Sequence, residues 1–214
     1  LDGHAERSGY GEVATVPWLP MGESGHLLMV DALVEQCPQR CIAGIWIKNH
    51  HFPPANRDAP ALVVFGTAQE WAQEKTDIRT KWQQSAAPYE SVLRVRRTFP
   101  DWALSYVIDG GSGHFDCEDR LTEYFAAYID CAAKARLSSD GSAGLKRLDL
   151  KNGWLADLPV PGHGERGIMT AARADSSSQE LPWFFDKAGA EAARSFAAIR
   201  WDAGTQLPAF ADVD

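Results

Sequence analysis

Apolar and polar positions along the chain fall into two rhythms that alternate. Four short runs are continuously apolar: 13–19 (Val-Ala-Thr-Val-Pro-Trp-Leu), 41–47 (Cys-Ile-Ala-Gly-Ile-Trp-Ile), 61–65 (Ala-Leu-Val-Val-Phe) and 104–108 (Leu-Ser-Tyr-Val-Ile). Runs of this length without alternation read as strands covered on both faces. Helical segments separate them. Residues 2–9 read as the tail of a helix closed by Gly9. Residues 25–36 are apolar on nearly every side (Leu27, Leu28, Met29, Val30, Leu33, Val34), which predicts a buried helix ending before Pro38. Residues 89–97 predict a further helix, stopped by Pro100. The most regular helix follows: Leu121, Tyr124, Phe125, Tyr128, Ile129, Ala132 and Ala135 share one face, with Asp116 placed as the N-cap. Strands alternating with helices predict an α/β fold, a mostly parallel sheet with flanking helices.

The rhythm changes after Leu137. Residues 138–143 are small and read as a linker, and 144–182 hold Gly, Pro and Ser without a firm period. Residues 183–200 predict a helix carrying Phe184, Phe185, Phe196 and Ile199. The expected organisation is therefore an α/β portion over 1–137 and an irregular, aromatic-rich C-terminal extension over 138–214 that wraps it. Trp154, Trp183 and Phe184 are candidates to shape a substrate cleft. The charges at 75–81 and 94–97 are expected on helix surfaces, and the stretch 162–167 (Gly-His-Gly-Glu-Arg-Gly) reads as a mobile loop, lacking the Lys-Ser/Thr of a phosphate loop.

Composition narrows the function classes. Of 214 residues, 45% are hydrophobic and 23% charged, a globular balance. The net charge of −8 and the lack of a basic block argue against nucleic acid as a partner. No run approaches the ~18 consecutive apolar residues of a membrane span. The chain starts at Leu1, so the lack of a visible signal peptide says nothing about compartment. Of the four cysteines, Cys37 and Cys41 flank a Pro-containing turn and could bridge, buried free thiols being the favoured reading; Cys117 and Cys131 complete the set without a C-x-x-C pair.

In an open parallel sheet, the working loops lie at the carboxyl ends of the strands. Those loops are 22–26, 48–56, 66–71 and 109–116. The first reads Gly-Glu-Ser-Gly-His and is preceded by an apolar run and followed by a helix, the setting of a nucleophile elbow. A serine on so sharp a turn needs neighbours with almost no side chain, and Gly22 and Gly25 are read as supplying room on either side. The turn would lift the Ser24 hydroxyl clear of the sheet and aim the Gly25 N–H at a developing oxyanion. The later loops hold His50 and His51, then Gln69 and Glu70, then His114. Serine, acid and histidine in that order are what such a triad requires. The other reading of Ser24 is an ordinary serine in a glycine-rich turn, and of His114 a surface or helix-capping histidine.

On Gly22-Glu-Ser-Gly-His26, on Pro60-Ala-Leu-Val-Val-Phe-Gly-Thr-Ala-Gln-Glu70 and on Gly113-His114-Phe115 ahead of an amphipathic helix, the chain resembles the α/β-hydrolase family over roughly residues 1–137. The resemblance implies Ser24 as nucleophile, His114 as general base and then acid, and a carboxylate orienting His114. Where many members carry an aspartate, this chain has Gln69. Glu70 is the favoured acid, with Asp77 or an acid on another loop as alternatives. The family's amino-terminal strands, one of whose loops donates a second oxyanion N–H, are lacking here. Either the chain is the carboxyl-terminal part of a longer hydrolase or the fold is trimmed, so self-association or a preceding segment would cover the sheet. His26, His50, His51 and Trp71 are candidates for lining the substrate cleft. No metal ligand set and no cofactor is expected, since His50-His51 lacks a companion Asp/Glu/His spacing. The implied activity is cleavage of a small-molecule carboxylic ester through an acyl-enzyme. A serine peptidase on the same scaffold and a non-catalytic hydrolase-like binding module are the alternatives.

Overall fold

A computed structural model describes residues 2–48, 56–66, 89–110, 112–114, 116–139, 144–160 and 163–198. Four strands, β1 (Met21–Glu23), β2 (Gly44–Ile47), β3 (Ala61–Gly66) and β4 (Leu104–Asp109), form one sheet in the order β1-β2-β3-β4. All three pairings are parallel, so every strand ends at the same edge. Between them run α2 (Leu27–Gln36, after α1 at Asp2–Ser8) and the helical residues 89–98 (α3), with α4 (Asp119–Arg136) following β4. β2, β3 and β4 are buried along their whole length, as their continuous apolar runs require.

The first strand is shorter and later than the run 13–19 suggests. Residues Gly11–Ala14 form a 3-10 turn, and Trp18 makes only an isolated bridge to Cys41. Pro17 and Pro20 explain the delay, because neither can donate to a ladder. The chain stays extended beside the sheet nonetheless: the Ile42 N–H donates to the Trp18 carbonyl and the Ile45 N–H to that of Pro20. Gly9 closes α1 with φ +76, the left-handed conformation expected of a helix-closing glycine.

α2 is not buried all round. It packs a single stripe, Leu27, Val30 and Val34, against β1 and β2, and leaves Leu28 68% and Met29 53% exposed. On β2 the Gly44–Trp46 side faces this helix. The Trp46 indole N–H donates to Asp31 at 2.7 Å, and a Cβ on Gly44 would lie 2.3 Å from the Trp46 ring. α4 matches the predicted face, burying Leu121, Tyr124, Phe125, Tyr128 and Ala132, but its N-cap is Glu118 rather than Asp116.

Residues 144–198 contain more order than their composition suggests. β5 (Trp154–Ala156) lies between β6 (Ile168–Thr170) and β7 (Trp183–Phe184) in a small antiparallel sheet. Trp183 and Phe184, read as the start of a helix, are strand residues. The helix starts later, as α5 (Lys187–Ala197), where the Asp186 carboxylate accepts from the Gly189 N–H as N-cap. α5 packs on α4 and β4, and Leu158, Phe184, Ala190 and Phe196 join the same core as the parallel sheet. The Ser105 hydroxyl of β4 donates to the Trp183 carbonyl, fastening β7 to the parallel sheet.

Arg96 corrects the surface reading of 94–97. It is 4% exposed, and its guanidinium donates to the carbonyls of Leu181, Phe99 and Pro100. Burial lowers its pKa to about 10. The described part of the stretch, 163–167, is loop and turn, as expected. His163 meets the Tyr89 ring edge-on at 5.2 Å, and Arg166 pairs with Asp157 and Glu180. All four cysteines are free, so the Cys37–Cys41 bridge does not form.

Two expectations follow. Arg96→Met should lower stability by about 2–4 kcal/mol, since charged donors to backbone carbonyls are lost in the interior. Arg97→Met removes only a pair with Glu180 that is 46% and 22% exposed and should cost less than about 1 kcal/mol. Urea midpoints of the two variants decide. The second concerns thiols. Burial pushes the Cys41 and Cys131 pKa values up to about 11, whereas Cys117 is exposed. At pH 8 a disulfide reagent should modify Cys117 in the native chain much faster than Cys41 or Cys131, and all four cysteines after unfolding.

Candidate functional site

The sheet register ends β1 and β2 level with each other and two residues short of the ends of β3 and β4. Glu23 pairs with Ile47, Ile47 with Val64 and Val64 with Val107. Ser24 and Lys48 each follow directly on the last paired rung of the first two strands, Glu23 with Ile47. They are also the two non-glycine residues with positive φ among the described residues, at +54° and +52°. Both neighbouring strands thus break in the left-handed region at the same height. Such backbone costs about 1–2 kcal/mol for an L-residue and persists only where the surroundings impose it.

At Ser24 the surroundings are identifiable. β1 runs into a 3-10 turn, Ser24–His26, which continues into α2 with no intervening loop. The turn brings the helix back over its own strand so closely that a Cβ on Gly22 would lie 2.8 Å from the His26 carbonyl oxygen and 2.8 Å from Val30 Cγ2. Gly22 is therefore sterically required. Gly25 is not: a Cβ there would meet nothing within 4 Å, and its φ is not positive. The reading that both glycines relieve crowding inside the turn is corrected on that point. Gly25 and His26 are exposed and Ser24 is half-buried, so the turn presents its serine at an accessible edge.

At Lys48 the surroundings are a network of charges. The side chain is 0% exposed. Its ammonium donates to the Ser112 hydroxyl at 2.7 Å and to the Asp116 carbonyl, and pairs with the Asp109 carboxylate at 3.4 Å. The other Asp109 oxygen accepts from Arg120 at 2.5 Å, and Arg120 also donates to the Phe196 carbonyl at 3.0 Å. The Asp116 carboxylate turns back to accept from the Gly113 N–H at 2.7 Å. That bond explains why Asp116 is not the cap of α4: it closes the loop after β4 instead. His114, half-buried, sits within this loop.

Of the residues proposed from sequence, Ser24, Gly25 and His26 therefore stand at the end of β1, and His114 stands beyond β4 at the same edge. Glu70, the alternative acid Asp77, and the cleft candidates His50, His51 and Trp71 lie outside the described residues. Trp183 and Phe184 are buried core residues rather than cleft walls. The Trp183 ring presses on Gly153, and its N–H donates to the Leu150 carbonyl at 2.9 Å. Sequence reasoning missed Lys48, which it took as the first residue of a loop. The available signal was a lone cation directly ending the run Ile45-Trp46-Ile47.

Among the described residues no group of His, Cys, Asp or Glu is arranged to hold a metal, and no helix is long and apolar enough to cross a membrane. A cleft of about 720 Å³ opens at the opposite, amino ends of the strands, beside Pro38, Pro60 and Ala103, walled partly by Arg57, Arg136 and Arg147. It lies away from the Ser24 edge and shares no residue with it. Compared with protein-family models, curated proteins and solved structures, the chain gives no match.

The elbow geometry yields its own tests. Gly22→Ala should cost about 1–3 kcal/mol by overpacking β1 against α2, whereas Gly25→Ala should cost less than about 1 kcal/mol. At Ser24 the ordinary order of Ala above Gly should invert, because glycine accepts the left-handed backbone without strain. Ser24→Gly should be more stable than Ser24→Ala by about 1 kcal/mol in urea unfolding. The ordinary order would show that the turn is unstrained.

Proposed function

We propose that this protein is a serine hydrolase of the α/β-hydrolase type that cleaves carboxylic esters through an acyl-enzyme. The observation carrying this reading is Ser24 itself: a left-handed, accessible serine on a strand-to-helix turn that only glycine at position 22 permits. A left-handed serine at an edge where four strands end is costly backbone, and such cost concentrates where chemistry uses it.

The steps use groups already named. Ser24 Oγ attacks the ester carbonyl carbon as His114 accepts the hydroxyl proton. The negative charge that forms on the carbonyl oxygen is met by the Gly25 N–H. Collapse of the tetrahedral intermediate breaks the bond to the alcohol oxygen, which leaves with the proton returned by His114. Water, deprotonated by His114, then attacks the acyl-Ser24 ester and releases the acid. A carboxylate, Glu70 in this reading, orients His114 and stabilises the imidazolium. His26 at the elbow, with His50, His51 and Trp71, would border the acyl or alcohol side.

A second reading, a hydrolase-like module that works by binding, draws on a different observation. β1 is an edge strand whose outer side has no partner strand among the described residues, and Met21, Leu28 and Met29 beside it are exposed. Kinetics separate the two. With p-nitrophenyl acetate, the hydrolase reading expects saturable turnover at pH 7–8 that falls at least about 10³-fold in Ser24→Ala and in His114→Asn. Turnover equal in wild type and Ser24→Ala would leave only the binding reading. Comparing p-nitrophenyl esters with peptide p-nitroanilides sets esterase against peptidase.

A further inference from the structure

The Lys48 network goes further than filling a buried space. Lys48 ends β2, next to the strand that carries Ser24, while its ammonium binds a loop that leaves β4. Two strand spacings, about 10 Å, separate β2 from β4, and the Lys48 side chain spans the gap over β3. Its partners are spread along that loop: Asp109 at the start, Ser112 in the middle and Asp116 at the end. The ammonium donates two hydrogen bonds into this loop, to Ser112 and Asp116, and its charge pairs with Asp109 at the end of β4. His114 lies between the second and third attachment points. The backbone of Lys48 is held as firmly as its tip. Its N–H donates to the Val64 carbonyl at 2.8 Å, and, like Ser24, it leaves its strand in left-handed backbone.

We propose that Lys48 is the positioning residue of the site: one buried ammonium clasps the loop 109–116 and holds His114 over the rung that presents Ser24. The proposal rests on the hydrolase reading for its catalytic meaning, while the clasp is a structural claim that can be measured without activity. An uncompensated ammonium could not remain in so dry a place. The loop therefore supplies a carboxylate, a hydroxyl and a carbonyl, and is itself fixed by supplying them. Arg120 holds the other face of Asp109, so that carboxylate bridges β2 to α4 and cannot drift with the loop. Lys48 does not meet substrate in this account. It sets the distance and angle from which the imidazole works, and small errors there are costly: about 1 Å of misplacement can lose about 10²-fold in rate.

Lys48→Met and Ser112→Ala in the full chain test this. Methionine keeps length and removes the charge, and Ser112→Ala removes one acceptor without stranding a charge in the interior. Both are assayed with p-nitrophenyl acetate and by amide hydrogen exchange over 110–116. The proposal expects kcat to fall about 10–100-fold in Lys48→Met with KM within about twofold, and by a smaller factor in Ser112→Ala. It expects faster exchange at 110–116 in both, with exchange in β2 and β3 unchanged. Folded variants with wild-type kcat and wild-type exchange at 110–116 overturn the proposal and leave the hydrolase reading standing. If Lys48→Met fails to fold, Ser112→Ala carries the same two outcomes. Should the wild-type chain show no Ser24-dependent turnover, the hydrolase reading fails and His114 loses its catalytic role. Exchange then decides the clasp alone, and unchanged exchange overturns that too.

Discussion

Hydrogen bonding in a parallel ladder requires neighbouring strands to run in step, and that constraint governs the carboxyl edge of this molecule. Because β1, β2, β3 and β4 are parallel and in continuous register, the last residues of β1 and β2, Glu23 and Ile47, lie level with Val64 and Val107, and β3 and β4 run two residues further. A residue that leaves the ladder at this level has limited options. Ser24 and Lys48 leave in left-handed backbone, one half-buried at the edge and the other directed into the interior. The first places a serine at the turn into α2. The second yields a cation whose burial is tolerable only because the loop after β4 comes to meet it. The make-up of this edge is thus a consequence of how two adjacent strands stop.

The remainder of the fold supports that edge from below. α2 follows the elbow without a loop, so its position is set by contact with its own strand at Gly22. α4 begins where the clasped loop ends and contributes Arg120 to Asp109. The described residues of 144–198 also belong to this support. α5 packs on α4, its Phe196 carbonyl accepts from Arg120, and the guanidinium lies 4.3 Å from the centre of the Phe196 ring. A chain of contacts thus runs from the C-terminal helix through Arg120 and Asp109 to Lys48.

Much of this architecture was legible in the sequence. Continuous apolar runs marked β2, β3 and β4, and the i, i+3, i+4 spacing marked α4, because burial on two faces and on one face leave different periods. The tight strand-to-helix turn at 22–26 was legible, and Gly22 is as crowded as so close a return of the helix requires. What escaped has physical causes. Pro17 and Pro20 interrupt an apolar stretch that joins the regular ladder only after both are passed. Leu28 and Met29 read as core because composition cannot say which side of a helix faces the sheet. Trp183 and Phe184 read as helix because two strand residues before an Asp186 cap carry no period. Lys48 and Arg96 escaped because lysine and arginine ordinarily stand at the surface, and their partners, at positions 109–116 and at Leu181, are remote in sequence.

The central claim is that Ser24 is an activated nucleophile. Incubating the chain at pH 7.5 with a fluorophosphonate and mapping the modified peptide tests it most directly. The account predicts stoichiometric phosphonylation at Ser24 alone, suppressed at least about 10²-fold in His114→Asn. Labelling elsewhere, or none at Ser24 in a folded chain, would contradict it.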